Sequence, residues 1–279
     1  MPLLDQIREK NLIKLAKTRF DPELMPAEFK VLHDSASSED PSEPDEKAPQ
    51  PPVRAEFLRW LTTDPEAASH IDPKGLRVYA ATIFESLDLK NCYVIPTLDF
   101  TFCNFPEKIN LLSAETRGLF FFNSSLIEGI RADGIIVHGQ LVLHRIQSEG
   151  EIRLLSAVIT GQFVCNGTKL KTRGNALHAD GAKIGGDVFL CGGFESEGLI
   201  RFLGVQIEGD LSCTDAKLNA KGKSLSVDGS KINGNIFLEK DLESEGEIRL
   251  IGTEIGKDLS FSGAKVTEVS CQIQSLLAI

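Results

Sequence analysis

Beyond Leu76 the chain reads as short triplets in which the first and third residues are apolar and the middle one varies, punctuated by Gly, Asn and Asp. One series has the inward pairs Leu76/Val78, Leu98/Phe100, Leu119/Phe121, Leu141/Leu143, Phe163/Cys165, Val188/Leu190, Leu211/Cys213, Ile236/Leu238 and Leu259/Phe261. A second has Leu87/Leu89, Ile109/Leu111, Ile130/Ala132, Ile152/Leu154, Leu177/Ala179, Ile200/Phe202, Leu225/Val227 and Ile248/Leu250. Apolar corner residues follow the triplets, among them Ile83, Val94, Leu126, Leu170, Leu218, Leu242, Ile255 and Val266. Equivalent triplets recur every 21 to 25 residues. Apolar–variable–apolar alternation is the period of a half-buried strand. Strands this short cannot stand as hairpins, because each leaves its edges unpaired. Stacking successive coils pairs those edges. The pattern therefore predicts an all-β fold, a right-handed parallel β-helix of about nine coils, each rising about 4.8 Å.

Self-similarity strengthens this reading. SEGEIRLLSAVITGQFVC at Ser148, SEGLIRFLGVQIEGDLSC at Ser196 and SEGEIRLIGTEIGKDLSF at Ser244 recur at 48-residue intervals. ALHADGAKIGGDVFL at Ala176 and SLSVDGSKINGNIFL at Ser224 keep the same 48-residue step. The half-units resemble each other, so the elementary step is about 24 residues, one coil. The returning glycines Gly185, Gly209, Gly234 and Gly256 are expected at corners that need a positive φ.

The N-terminal part is of a different kind. Residues 1–33 read as a helical arm, because LLDQIREKNLIKLAKTRF spaces Leu3, Leu4, Ile7, Leu12 and Leu15 as a short amphipathic helix, here taken as a frayed terminus. Residues 34–53, rich in Pro and acids, read as a disordered linker. Residues 54–75 contain VRAEFLRWL and read as a capping helix over the first coil, ending before Pro65. Residues 76–266 are the β-helix repeats, and 267–279 abandon the repeat as an irregular tail.

Composition narrows the chemistry. The chain has 279 residues and a net charge of −10, which argues against a nucleic-acid binder working through a basic field. No long apolar run and no signal-peptide pattern is visible, so the cytoplasm is the expected compartment. The cysteines Cys92, Cys103, Cys165, Cys191, Cys213 and Cys271 form no CxxC pair, and the histidines never reach HExxH spacing. No metal site, cofactor motif or catalytic constellation is expected. Cys165 and Cys213 occupy equivalent positions two coils apart, too far for a disulfide, and should remain free thiols.

The repeat tracts and the VRAEFLRWL entry helix resemble pentapeptide-repeat-like, quadrilateral bacterial β-helix proteins, close to a group often labelled membrane-associated oxidoreductase. The resemblance covers about Val53 to Val266. It implies the quadrilateral form of the fold, and roles known for some branches, such as scaffolding or DNA-mimicking inhibition of topoisomerases. The membrane attachment it implies would require a C-terminal segment beyond TEVSCQIQSLLAI, and the oxidoreductase label finds no cofactor motif to stand on.

In a solenoid, function lies on the outward columns. On the first series these are apolar in the middle: Phe120, Val142, Val164, Phe189 and Phe237, a candidate face for a protein partner or self-association. A one-residue slip of register would instead send them into the core. On the second series Arg131, Arg153, Arg201 and Arg249 form a candidate basic stripe, either open to carboxylates and phosphates or tied up by neighbours such as Glu151, Glu245 and Glu247. Gln140, Gln162, Asp187, Asp210, Asn235 and Asp258 form a third column, read either as clustered carboxylates of a carbohydrate-active β-helix or as caps on turn backbones. The favoured expectation is a non-catalytic scaffold. The alternatives are the soluble part of a membrane-associated, oxidoreductase-labelled protein, a DNA mimic, and a carbohydrate-active enzyme.

Overall fold

The computed structural model describes residues 2–20, 24–41 and 49–275. Four short strands make one coil. Starting at Leu141, the chain forms Leu141–His144, Gln147–Ser148, Ile152–Arg153 and Val158–Ile159, and Phe163–Val164 then lies in register over Leu141 and Val142. All pairings between coils are parallel, as one continuous winding requires. The first side of every coil joins a nine-stranded sheet, here the broad face; the other three sides share a second sheet. The fold is thus a four-sided β-solenoid of about nine coils with a short helical region at its N-terminal end.

The inward pairs of both series, from Leu76 to Leu250, are at most 3% exposed. That settles the register: Leu119 stacks on Leu98 and Leu141 on Leu119, and on the opposite side Ile130 lies between Ile109 and Ile152. Full burial of a Leu, Ile or Phe side chain is worth about 1.5–3 kcal/mol, and each coil buries several.

The side following the broad face explains why the repeat is two coils long. Its corner column runs Phe105, Leu126, Ser148, Leu170, Ser196, Leu218, Ser244, Val266. Two residues earlier in each coil stand Cys103, Ser124, Ile146, Thr168, Phe194, Ala216, Leu242 and Ala264. Wherever the corner is serine, the earlier residue is large; wherever the corner is large, the earlier one is small. Constant packing density demands this compensation within a coil, and from Leu126 onward it alternates from coil to coil. Ser148, Ser196 and Ser244 are therefore buried corners, whereas the hydrophobic pattern passes over the first two and assigns the third corner to Leu242. Each hydroxyl donates to the carbonyl of the glycine two residues on, Ser148 to Gly150 at 2.8 Å, Ser196 to Gly198 at 2.7 Å and Ser244 to Gly246 at 2.9 Å. With its donor satisfied, a serine fills an apolar corner at little cost. The glycine is needed for space: a Cβ at Gly198 would meet the Thr172 carbonyl oxygen at 2.3 Å.

The expectation for the other recurring glycines is corrected. Gly185, Gly209, Gly234 and Gly256 do not adopt positive φ. A Cβ at Gly256 would lie 2.3 Å from the Asn233 carbonyl oxygen, so the requirement is close approach of neighbouring coils. The left-handed positions fall elsewhere, for example at Gly181 in the ADG turn, with φ +66°.

Both ends differ from the expectation. The N-terminal arm is not frayed: α1 (Leu3–Phe20) buries Leu12 and Ala16 against α2 (Pro26–Ala36), which the sequence pattern does not reveal and which packs on the first broad-face strand, Leu76–Tyr79. Asp34–Ala36 are the last turn of α2, and Pro52–Arg54 pairs in parallel with Thr82–Phe84, so the stretch read as a linker is ordered at both ends; residues 42–48 lie outside the described residues. α3 (Ala55–Thr63) and α4 (Pro65–Ser69) follow, with Phe57, Leu58 and Leu61 buried. The helices are pinned by polar contacts: buried Glu28 takes Arg54 Nε at 2.7 Å, and Arg8 meets Asp72 at 2.6 Å. At the other end the stretch 267–279, expected to be irregular, is ordered as far as residue 275, where the strand Lys265–Ser275 pairs in parallel with Glu243–Ile255; residues 276–279 lie outside the described residues.

The compensation can be tested by exchanging sizes within one coil. Ser196→Leu should destabilise by about 1–3 kcal/mol through overpacking, and Phe194→Ala by about 3–5 kcal/mol through a cavity. The double variant should lose less than the sum, measured by denaturant unfolding. Simple additivity would show that the two positions do not share space.

Candidate functional site

The broad face carries the only extended apolar column that points outward from the described solenoid. Phe120 pairs with Val142, Val142 with Val164, Val164 with Phe189, Phe189 with Ser212, and Ser212 with Phe237. Their inward neighbours fill the core, so these side chains lie outside it. Phe120, Val164, Phe189 and Phe237 are half-buried, and Val142 is 7% exposed between its neighbours. The early broad-face strands are four residues long, so a second outward column runs Tyr79, Thr101, Phe122, His144. Phe122 is thereby added to the face: its ring stacks on Phe120 at 6.2 Å with an interplanar angle of 3° and meets the His144 ring edge-on at 6.0 Å. A three-residue strand rule leaves Phe122 out; the run LFFF is the signal that would have found it. Burial, helped by the nearby Arg145 charge, holds the His144 imidazole below its usual range.

The first coils close the face with polar groups. Arg77 is buried and donates to the carbonyls of Ser37 and Glu39. Asp99 accepts from the Thr101 hydroxyl at 2.8 Å and the Tyr79 hydroxyl at 3.2 Å. Burial raises the Asp99 carboxyl above the usual range in spite of these bonds and of Arg77, and it raises the Tyr79 phenol as well. Along one border the side chains act as caps: Asp187 accepts from Asp210 N at 2.9 Å, Asp210 from Asn235 N at 2.7 Å, and Asn235 from Asp258 N at 3.1 Å. This is one side chain per coil holding the next backbone, the capping alternative for the acidic column.

The arginines also form one column, but each is engaged. Arg153 Nε meets Asp133 at 2.8 Å, Arg201 Nε meets Asp180 at 2.7 Å, and Arg249 Nε meets Asp228 at 2.9 Å. The other carboxylate oxygen takes the N–H of Leu155, Leu203 or Ile251 in the following coil. Each aspartate thus clamps two coils. The principal partners are these aspartates, not Glu151 or Glu245; Glu247 adds a second contact to Arg249 at 3.2 Å. The recurring ADG, ADG and VDG tracts at 132–134, 179–181 and 227–229 carry the signal. Arg131 is the loosest, 3.8 Å from Asp133 and half-exposed.

Other chemistry is sparse. Among the described residues no group of three His, Cys, Asp or Glu side chains is placed to hold a metal ion. Among them no helix is long and apolar enough to cross a membrane. Cys103, Cys165 and Cys213 are buried free thiols pushed upward by burial, Cys103 to about 12. Comparison with known proteins finds no matching family model, no similar curated protein and no similar solved structure.

Two outcomes follow. Because its folded carboxyl lies above the unfolded value of about 3.9, ionised Asp99 opposes folding at neutral pH. Asp99→Asn should therefore melt higher than the natural chain at pH 7, and the difference should vanish as pH falls below the unfolded value, where Asp99 is protonated in both states; an equal or lower melting temperature at pH 7 contradicts this. In an aromatic-disulfide thiol titration of the folded chain, exposed Cys271 should react first, and Cys103, Cys165 and Cys213 only after denaturation.

Proposed function

We propose that this chain is a non-catalytic β-solenoid scaffold that docks a protein, either a partner or a second copy of itself, on the outward apolar column of the broad face. The reading rests on one observation: Phe120, Val142, Val164, Phe189 and Phe237, with Ser212 between the last two, form a column crossing successive coils outside the filled core, and Phe122 of the neighbouring outward column stacks on Phe120. Contiguous apolar surface of this kind marks interaction sites on soluble folds. Aromatic rings contribute most at such contacts because they bury a large area with few rotatable bonds.

The basic column supports a structural role, since its strongest donors are spent on Asp133, Asp180 and Asp228. Charge elsewhere alternates: Lys169, Glu195, Lys217, Glu243 and Lys265 stack one above another. Such a ladder is unlike the uniform negative array of a DNA mimic. In this reading the chain belongs with the pentapeptide-repeat-like bacterial β-helices that its tracts resemble, and acts as a presenting surface.

The test is the double variant Phe189→Glu with Phe237→Glu, both on the outer surface. Sedimentation velocity over a concentration series, together with affinity capture, should show association present in the natural chain and lost in the variant. Far-UV circular dichroism should stay unchanged. Identical association by the two proteins would overturn the proposal.

A further inference from the structure

The arginine column follows a rule that one arginine breaks. The residue two positions beyond each column site alternates from coil to coil, Asp133, Leu155, Asp180, Leu203, Asp228. Where it is aspartate, the column residue of the next coil is an arginine, Arg153, Arg201 or Arg249, and the ion pair closes within 2.9 Å. Where it is leucine, the next column residue is His178 or Ser226. Beneath Arg131 the column holds Asn110, and two positions beyond it stands Leu112. Arg131 is thus an arginine whose neighbouring coil supplies no carboxylate.

Among the described residues its one carboxylate contact is Asp133 of its own coil, at 3.8 Å, and both oxygens of that group already lie within 2.9 Å of Arg153 Nε. The terminal nitrogens of Arg131 and Arg153 have no protein partner among the described residues, and neither has the Lys108 ammonium. Arg131 and Arg153 stand in register on adjacent coils, and Lys108 lies on the coil below, two positions before Asn110. With Ile130 and Glu151 these three cations line a cleft of about 350 Å³. Gly129 occupies the middle coil between Lys108 and Glu151, so no side chain fills the space that separates them. Glu151 itself is engaged by His178 Nδ1 at 3.2 Å. Like charges directly opposite each other on neighbouring strands repel, and here nothing in the protein offsets the second guanidinium.

We propose that this cleft binds a dianionic phosphate group, such as that of a phosphate monoester. The planar guanidinium forks of Arg131 and Arg153 suit bidentate contact with oxyanion oxygens, and Lys108 adds a point charge from the opposite wall. A phosphate monoester carries close to two negative charges at pH 7, enough to offset the repulsion between the stacked cations, which a single carboxylate offsets only in part. The cleft lies on the sheet shared by the other three sides of the coil, apart from the broad face and its apolar column.

Isothermal titration calorimetry of the full chain with inorganic phosphate, with the peptide Gly-Gly-phosphoserine-Gly-Gly and with acetate tests this. At least one of the two phosphates should bind with a dissociation constant of about 1 mM or tighter, and acetate about tenfold more weakly. Tighter binding of the peptide assigns the group to a phosphorylated side chain, and tighter binding of inorganic phosphate assigns it to a free small anion. Leu112→Asp supplies the carboxylate missing beneath Arg131 and removes no cation. It should weaken phosphate binding about tenfold, as should Arg131→Gln, whereas Leu112→Asn, of the same shape without the charge, should bind as the natural chain does. Circular dichroism checks that the variants are folded. Dissociation constants weaker than about 1 mM for both phosphates, acetate binding as tightly as phosphate, or equal binding by Leu112→Asp and Leu112→Asn would overturn the proposal.

Discussion

Everything in this molecule depends on one constraint: each residue stands directly above its counterpart, about 4.8 Å away, in a parallel stack. A side chain is therefore selected chiefly by the residues above and below it and by those that share its coil. Backbone pairing comes free with the winding and carries no sequence information. Register must come from side chains, and the chain supplies it three times over. The inward Leu, Ile and Phe columns fix which face is core, the Asp133, Asp180 and Asp228 clamps tie one coil to the next, and the Lys–Glu ladder makes a slip by one coil repulsive. Individual exposed ion pairs contribute little. Repeated in a column, they act mainly by penalising the wrong alignment.

The same constraint explains the 48-residue period. A coil of uniform size could be filled by one repeated set of side chains, and a 24-residue repeat would suffice. Instead the serine corners alternate with leucine corners, and the residue two positions earlier alternates in the opposite sense. Size, hydrogen bonding at the SEG turn and charge all change together from coil to coil. Two kinds of coil interleave, and each is the natural cover for the other.

This also separates what was legible in the sequence from what was not. The inward columns were readable, because strict apolar alternation leaves one register for a core, and Leu76 through Leu250 lie where the pattern puts them. Ser148 and Ser196 were not read as corners, because a hydroxyl counts as polar until its donor is seen bonded to Gly150 or Gly198. The role of Gly256 is not legible, because composition alone does not distinguish a glycine needed for φ from one needed for space. α2 was hidden because its buried face includes Glu28, Asp34 and Ser35, whose burial depends on contacts such as Arg54 and the Arg77 backbone. The outward Phe and Arg columns could be named from the triplets, but which one remained available could not. That depends on the aspartates two residues beyond Arg131, His178 and Ser226 of the same column, which reach Arg153, Arg201 and Arg249 in the following coil.

The two outward columns therefore end up with opposite characters for one physical reason. A guanidinium and a carboxylate on adjacent coils satisfy each other through hydrogen bonds, so a column of arginines beside a column of aspartates closes on itself and becomes part of the frame. Phenylalanine and valine have no such recourse. Stacking Phe120 on Phe122, or Val142 on Val164, covers their edges but leaves one flank of the column facing away from the core, and further coils would lengthen that flank without covering it. Only a surface from outside the solenoid wall can remove it from water. The polar columns of this winding fold are thus self-satisfied from Arg153 onward and its apolar column is not, and the proposed docking face is the broad face, where Phe189 and Phe237 stand on either side of Ser212.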